Sequence, residues 1–278
     1  MTAPQGRFSA EPASSFEDFA NQFDPGGLAA SFKTGVISWL LLPVYVWQGL
    51  QTRRRVLRMV PPMGRTSGCL GAETAGDAEV KLLVIGDSSA AGVGVDRIDD
   101  SLGPKLAERI AALTGLSVFW RAAGANSAVS AEIRDHVVPN LACEAFTHIV
   151  LMIGTNDAKN FHGAVKFKKS FGTLLYALRA KWPEARIVWS PPVDLKRVPA
   201  LPRGLAHVLE LRARIIRRMG ARLCIERGAV VSLTLPRVEP AGFSRDGFHA
   251  SIEGYAYYAN HLMDYVLPDR RQSEMTAA

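Results

Sequence analysis

Five short apolar stretches, separated by segments of helical periodicity, constrain the fold of this 278-residue chain more than any other feature. Parallel strands that are buried on both faces have this near-continuous apolar character. The segments between them place apolar residues on one helix face, as at Phe167, Phe171 and Leu174. Strands that alternate with helices predict a parallel sheet covered on both faces. The predicted strands are residues 80–86, 116–121, 147–154, 185–190 and 228–232.

Composition divides the whole chain into five segments. The first residues are rich in Ala, Ser, Pro and Gly, although Phe16, Phe19 and Phe23 share one face of a short predicted helix. The stretch before the first strand has no apolar period, and the C-terminal residues are polar. We therefore predict a flexible N-terminal region (1–33), an apolar and basic helix (34–60), a linker (61–79), an α/β domain (80–268) and a flexible tail (269–278).

The uncharged residues 34–52 form the most apolar segment of the chain, and as a helix they would rise about 28 Å, close to the thickness of a bilayer core. Pro43, Gln48 and Gln51 interrupt this segment. Three interpretations are open: a single membrane span, a helix lying in the membrane interface, or a helix packed on the protein itself. We do not expect a secretory signal peptide, because the segment starts too far into the chain and no small-residue cleavage site follows it.

Charge on either side of this segment predicts its orientation. Acidic residues such as Glu17 and Asp24 precede it, whereas Arg53, Arg54 and Arg55 follow it directly. In a membrane span, that asymmetry keeps the C-terminal domain in the cytoplasm. The expected location is therefore the cytoplasm, with attachment to the cytoplasmic face of the inner membrane through residues 34–60 if this segment meets a membrane. The three widely spaced cysteines give no disulfide framework, which favours a reducing compartment.

A net charge of +7 is compatible with nucleic acid or an anionic membrane surface as a partner. Its two basic clusters, around Arg53–Arg55 and between Arg212 and Arg222, are not interleaved with the aromatic residues that single-strand binding uses. The sequence matches no zinc-finger or RNP motif, and the cysteine spacing does not fit zinc. We therefore expect no nucleic-acid partner, no metal and no cofactor, and we keep a membrane surface as a candidate partner.

The first predicted strand ends in Gly86-Asp87-Ser88-Ser89. A serine on a tight turn at the carboxyl end of a buried strand lies at the rim of the sheet, where open α/β sheets place their chemistry. Ser88 is therefore a candidate nucleophile, and Asp87 is interpreted as a carboxylate that binds backbone N–H groups of the turn. The alternative is a plain strand-to-helix turn, in which Gly, Asp and Ser are favoured anyway.

A serine nucleophile needs a base, and the best candidate among the six histidines is His249. It lies in a loop after the last predicted strand and before the final helix, three residues after Asp246. On a tight turn this spacing lets the carboxylate orient the imidazole. His162, which follows the third strand, is a second candidate, whereas His148 opens a strand and lies at the wrong edge of the sheet.

Two further strand ends offer hydrogen-bond donors. The second predicted strand leads into Gly124, and the third is followed by Asn156. Acyl transfer needs donors aimed at a developing oxyanion, and a glycine N–H and an asparagine NH₂ are suitable. Read separately, both are ordinary turn residues. Together with Ser88 and His249, however, they are all predicted to lie on one rim of the sheet.

These four segments resemble, in chain order, the blocks of the SGNH hydrolases, also called GDSL esterases and lipases. The matching blocks are GDSS at 86–89, the glycine block around Gly124, GTND at 154–157 and DGFH at 246–249. The resemblance covers residues 80 to about 266. The sequence differs from the family pattern at two points: Ser89 stands where many members continue a GDSL-type run, and the glycine block lacks the usual Asn before its Gly. The resemblance implies a three-layer α/β/α, flavodoxin-like fold with a five-stranded parallel sheet.

The resemblance also implies a role for each residue. Ser88 would be the nucleophile, His249 the base and Asp246 the residue that orients the base. The oxyanion hole would be formed by the N–H groups of Ser88 and Gly124 and by the side chain of Asn156. The expected function is hydrolysis of a small-molecule or lipid carboxylic ester through an acyl-enzyme intermediate.

Two alternatives to this function stay open, namely a deacetylase of acylated sugars and a non-catalytic, membrane-associated binding protein with the same fold. Three aromatic residues near the rim hint at an apolar acyl pocket: Phe161, Phe243 and Phe248. Aromatic residues near a loop can equally be packing residues. The length of the acyl chain and the alcohol part of the substrate do not follow from the sequence.

Overall fold

The computed structural model describes residues 27–57, 59–142, 144–236 and 239–267. The short helix predicted around Phe16 and the tail predicted from residue 269 lie outside these ranges.

One sheet forms the centre of the α/β domain. Its strands are β1 (Ser67–Leu70), β2 (Val80–Gly86), β3 (Val118–Gly124), β4 (His148–Met152), β5 (Arg186–Ser190) and β6 (Val230–Val231). They are arranged in the order β1-β3-β2-β4-β5-β6, and β2 to β6 are parallel. The prediction of five parallel strands is therefore confirmed.

The sixth strand corrects the predicted linker. Within residues 61–79, Ser67–Leu70 pairs antiparallel with β3, so that Cys69 lies opposite Phe119, and the sheet is mixed rather than wholly parallel. This strand is only four residues long and half-buried, with no apolar alternation. Its hydrogen-bond partners lie far along the chain, so no local pattern could indicate it.

Helices cover both faces of the sheet. The helices of the described residues are α1 (Gly27–Leu40), α2 (Leu42–Arg55), α3 (Leu102–Thr114), α4 (Thr155–Lys159), α5 (Ala164–Lys181), α6 (Arg203–Glu226) and α7 (Ile252–Val266). Of these, α3, α5, α6 and α7 pack on the sheet, whereas α1 and α2 pack on α6. Because successive strand residues point to opposite faces, Leu83 of β2 packs in the same cluster as Phe171 of α5, whereas Leu82 packs with Leu106 of α3 and Tyr255 of α7. The three-layer α/β/α architecture is confirmed.

The helical segment between β3 and β4 is irregular. Its turns are Ser130–Glu132, the wider turn Ile133–Val137 and the tighter turn Val138–Asn140. Pro139, which has no N–H to donate, lies in the last of these turns.

Two helices replace the single helix predicted over 34–60. The first, α1, begins at Gly27, within the region predicted to be flexible, and the second, α2, begins at Leu42 and has a proline in its first turn. Pro43 has no N–H and fits only the start of a helix, so the chain breaks at Leu41. In the described residues, no helix is long and apolar enough to cross a membrane.

Both N-terminal helices pack on α6. From α6, the Arg212 guanidinium donates to the Ser38 hydroxyl of α1 (3.2 Å), and the Leu205 N–H donates to the Gln48 side-chain oxygen of α2 (2.6 Å). The Tyr45 hydroxyl of α2 also donates to the Lys159 carbonyl of α4 (2.6 Å). Of the three interpretations of this segment, the described residues show packing on the protein's own body.

Candidate active site

The predicted site residues come from different elements that meet at the carboxyl edge of the sheet. Ser88 follows β2, Gly124 ends β3, Asn156 lies in the first turn of α4 after β4, and His249 precedes α7. Gly86 pairs with both Gly124 and Met152 in the parallel ladders, so the three strand ends are neighbours. Parallel topology therefore brings these distant segments to one rim.

A glycine is required where β2 turns toward Ser88. Gly86 has φ 148°, and a Cβ on it would lie 1.9 Å from the Met152 carbonyl oxygen. Only glycine tolerates both this backbone conformation and this close approach of the neighbouring strand. The turn then presents Ser88 at the sheet edge.

A continuous hydrogen-bonded chain joins Ser88, His249 and Asp246. The Ser88 Oγ lies 3.1 Å from His249 Nε2, and His249 Nδ1 lies 2.6 Å from Asp246 Oδ2. The Asp246 side chain is fully buried, whereas that of His249 is 18% exposed. This is the relation of nucleophile, base and orienting acid that acyl transfer needs.

The loop 244–249 holds the Asp246 carboxylate in its ionised form. Its Oδ1 accepts hydrogen bonds from the Ser244 hydroxyl (2.8 Å) and from the N–H groups of Phe248 (2.8 Å) and His249 (2.9 Å). Burial opposes ionisation, but the hydrogen bonds from His249, Phe248 and Ser244 outweigh it and hold the pKa of Asp246 well below its usual range. A carboxylate of this kind stabilises an imidazolium beside it.

Two of the three predicted oxyanion donors, Asn156 and Gly124, differ in their position. Asn156 is buried and lines the cavity beside Ser88, and its Nδ2 donates to the Ala128 carbonyl (3.1 Å). An amide nitrogen carries two hydrogens, so a second donor is available. Gly124 is not among the cavity-lining residues. It packs against the turn that follows β2, so closely that a Cβ on it would lie 2.0 Å from the Ala91 nitrogen. The donor role of the Gly124 N–H stays a prediction.

Apolar residues form most of the remaining lining of the cavity, whose volume is about 70 Å³, and Thr155, Ser190 and Tyr258 contribute polar groups. Phe243 and Phe248 line it as predicted, whereas Phe161 packs elsewhere, against Tyr45 and Arg212. The other apolar lining residues are Met152, Ile153, Pro191, Pro192, Val193, Leu195, Val198, Leu235 and Ala250. The arrangement can hold an apolar group against Ser88.

Sequence reasoning missed the ion pair that supports one wall of this cavity. Glu210 and Arg217 are both buried on α6 and bind each other. Glu210 accepts a hydrogen bond from the Leu195 N–H (3.0 Å), and Arg217 donates to the carbonyls of Pro192 (3.2 Å) and Val193 (3.1 Å). The sequence indicates Arg217 only as part of a basic cluster, and no local pattern indicates its burial, because its partners come from the loop after β5.

His162, the second candidate base, has a different partner. Its Nδ1 lies 3.0 Å from Asp157 Oδ1, and Asp157 Oδ2 also accepts from the Ser130 hydroxyl (2.9 Å) and N–H (3.1 Å). These buried groups stabilise the loop after β4.

In the turn after β2, Asp87 accepts a hydrogen bond from the Ser89 N–H (3.0 Å), as the predicted structural role requires.

Comparison with known proteins identifies the class. The family model described as "GDSL-like Lipase/Acylhydrolase family" matches residues 84–257, more than half of the chain. The chain therefore belongs to this family of carboxylic ester hydrolases. No curated protein matches the chain significantly.

Solved structures show the same fold at low sequence identity. TesA is 18% identical, with 68% of this chain and 98% of that chain covered and a TM-score of 0.56. A lipase/acylhydrolase from Enterococcus faecalis is 19% identical, with 68% and 98% covered and a TM-score of 0.50. A variant of Axe2, an acetyl xylan esterase from Geobacillus stearothermophilus, is 15% identical, with 68% and 95% covered and a TM-score of 0.51.

Proposed function

We propose that this chain hydrolyses carboxylic esters through a covalent acyl-enzyme on Ser88. The observation that carries the proposal is the hydrogen-bonded chain from Ser88 Oγ through His249 to Asp246. His249 Nε2 takes the hydroxyl proton as Ser88 Oγ bonds to the ester carbonyl carbon, and the carbonyl electron pair moves to oxygen. The intermediate collapses, the bond to the alcohol oxygen breaks, and His249 gives its proton to the leaving alcohol.

Water completes the cycle by the same route. His249 takes a proton from water as the water oxygen attacks the acyl carbon, and Ser88 leaves with the proton that His249 returns. Asp246 stays ionised throughout and stabilises the imidazolium of both steps. The oxyanion of each intermediate would be bound by the N–H groups of Ser88 and Gly124 and by the amide of Asn156.

The cavity favours a short acyl group. A volume of about 70 Å³ next to Ser88 holds only a few water-sized groups, and its walls are mostly apolar. This observation also favours the second candidate function, removal of acetyl groups from sugars, since acetyl is the smallest of these acyl groups. Both functions use the same nucleophile.

A panel of p-nitrophenyl esters from acetate to decanoate tests the proposal. We expect the highest kcat/KM for the shortest chains and complete loss of turnover in Ser88→Ala. A fluorophosphonate probe should label the native chain and not this variant. Full activity in Ser88→Ala would exclude the mechanism, and an unlabelled native chain would support the non-catalytic alternative.

A further inference from the structure

The outward side of α1 and α2 exposes large apolar side chains, which we call the N-terminal apolar face. Their exposed fractions range from 44% at Val36 to 77% at Phe32. Phe32, Val36 and Leu40 follow i, i+4 spacing on α1, and Val46 and Leu50 do so on α2, so each helix has an exposed apolar side. Exposed apolar surface of this kind on a folded protein marks a site that meets an apolar partner. The other members are Trp39 and Trp47.

Charge on these two helices has one sign. Residues 27–57 include four basic residues, Lys33, Arg53, Arg54 and Arg55, and no aspartate or glutamate. The three arginines are exposed together at the end of α2. Apolar side chains beside a cluster of arginines match the two parts of an anionic bilayer surface, namely its acyl boundary and its headgroups.

The inward side of the same helices is already occupied. Arg212 donates to the Ser38 hydroxyl (3.2 Å), and Gln48 and Tyr45 are hydrogen-bonded to the body of the domain. Each helix has 14 residues and rises only about 21 Å, less than a bilayer core. The two helices are therefore suited to lie on a membrane surface with their outward side.

We propose that the N-terminal apolar face docks this protein flat on an anionic lipid bilayer. The apolar side chains would enter the boundary between headgroups and acyl chains, and Arg53, Arg54 and Arg55 would bind the anionic headgroups. Docking of this kind is reversible and depends on both buried apolar area and charge.

The chain just beyond α2 contacts the candidate active site. The Met59 sulfur lies 3.3 Å from the Ser244 Oγ, and the Ser244 hydroxyl donates to Asp246 (2.8 Å). Burial lowers the pKa of Lys159, the negative charge of Asp87 opposes this, and the positive charge of Arg53 lowers the pKa further. If the proposed function holds, on which this step rests, docking brings the cavity to esters at the bilayer surface.

Vesicle co-sedimentation of the full-length Ser88→Ala protein tests the docking without turnover. We expect binding to phosphatidylglycerol-containing vesicles, at least about tenfold weaker binding to phosphatidylcholine alone, and loss of binding at high salt. Leu40→Ser/Trp47→Ser should reduce binding at least tenfold. The matched control, Val165→Ser/Tyr176→Ser, removes equally exposed apolar side chains from α5 and should leave binding unchanged.

A second pair of variants tests the charge. Arg54→Gln/Arg55→Gln should weaken binding at least about tenfold, since each basic residue near the surface contributes to the attraction. Lys168→Gln/Lys169→Gln removes the same charge from α5 and should have little effect. Equal losses of vesicle binding in both pairs would show that the vesicles attract the net charge of the protein and not this face. That result would overturn the proposal.

A partner other than a bilayer on the N-terminal apolar face would give different results. A dimer in solution that Leu40→Ser/Trp47→Ser converts to a monomer would assign the face to a second copy of the chain and overturn the proposal. Equal binding to neutral and anionic vesicles, or to neither, would overturn it as well. Face variants made with Ser88 intact should hydrolyse soluble p-nitrophenyl acetate normally, so failure of docking and failure of the proposed chemistry are separable.

Discussion

Asp87 and Asp246 lie within one site but differ in their electrostatic surroundings. Asp246 accepts three hydrogen bonds through one oxygen and one from His249 through the other. Asp87 is equally buried, and its carboxylate accepts a hydrogen bond from the Ser89 N–H. Burial therefore raises the pKa of Asp87 to about 6, against the opposing effects of the Ser89 hydrogen bonds and of the charges of His249 and Lys159.

This difference predicts a pH dependence of stability. The pKa of Asp87 is raised on folding, so the folded state retains its proton longer than the unfolded state, and its contribution to stability is lost as the pH rises from about 4 to 6. Asp87→Asn keeps the acceptor oxygen but cannot ionise. Its free energy of unfolding, relative to wild type, should therefore rise between pH 4 and pH 7.5 by about 2–3 kcal/mol.

Denaturant unfolding at several pH values measures this difference. The exposed Asp99 gives the control Asp99→Asn, for which the difference from wild type should not change with pH in this way. A pH-independent difference for Asp87→Asn would contradict the assignment of a buried, destabilised carboxylate.

Asn156 provides the test of the oxyanion hole. Asn156→Ala removes a donor aimed at charge that forms only in the transition state, so kcat should fall by roughly 10²–10³ with little change in KM. Steady-state kinetics with p-nitrophenyl acetate measure both constants. Because Asn156 also binds the Ala128 carbonyl, a thermal melt should accompany them. A loss of kcat below tenfold in a folded variant would remove Asn156 from the oxyanion hole.

At the scale of elements, α6 positions one wall of the cavity through its buried ion pair. Arg217 and Glu210 connect this helix to the backbone of residues 192–195. Periodicity along α6 was visible in the sequence, but the burial of two charged residues on its inner side was not. Charged side chains are buried only where they have hydrogen-bonding or ionic partners. Here the backbone partners belong to residues 192–195, in a loop after β5.

Breaking this pair should be costly. Arg217→Met leaves the buried Glu210 with only the half-exposed Arg214 as a cation (3.4 Å) and should lower the free energy of unfolding by about 3 kcal/mol. The double variant Glu210→Leu/Arg217→Met should be less destabilised than Arg217→Met, since no uncompensated charge remains. Urea unfolding of the set measures this coupling. Additive losses in the double variant would show that the two charges act independently.

At the scale of the whole molecule, the N-terminal helices are part of the folded body. They cover α6, and Gln48 supplies an acceptor to its first turn, where the cap residue Pro202 offers no side-chain acceptor. No local pattern indicates this contact, because the two partners are far apart in sequence. A membrane span, an interfacial helix and a packed helix have the same apolar composition.

Deletion of residues 1–57 should therefore destabilise the domain. The deletion uncovers apolar surface of α6, so the melting temperature should fall by roughly 5 °C or more, measured by circular dichroism. Gln48→Ala is a milder comparison that removes one hydrogen bond and should cost about 1 kcal/mol. An unchanged melting temperature after the deletion would show that the helices contribute nothing to the fold.

The sequence by itself determined the parallel strands, the three layers and the rim on which Ser88, Asn156 and His249 meet. These features follow from local signals, since burial on both faces makes a strand continuously apolar and parallel topology brings strand ends to one edge. Only the tertiary structure decided the distances within the site and the antiparallel strand Ser67–Leu70. It also decided the burial of the ion pair on α6 and the packing of α1 and α2 on that helix. Each depends on partners distant in the chain, and a short or ambiguous segment takes its conformation from such partners.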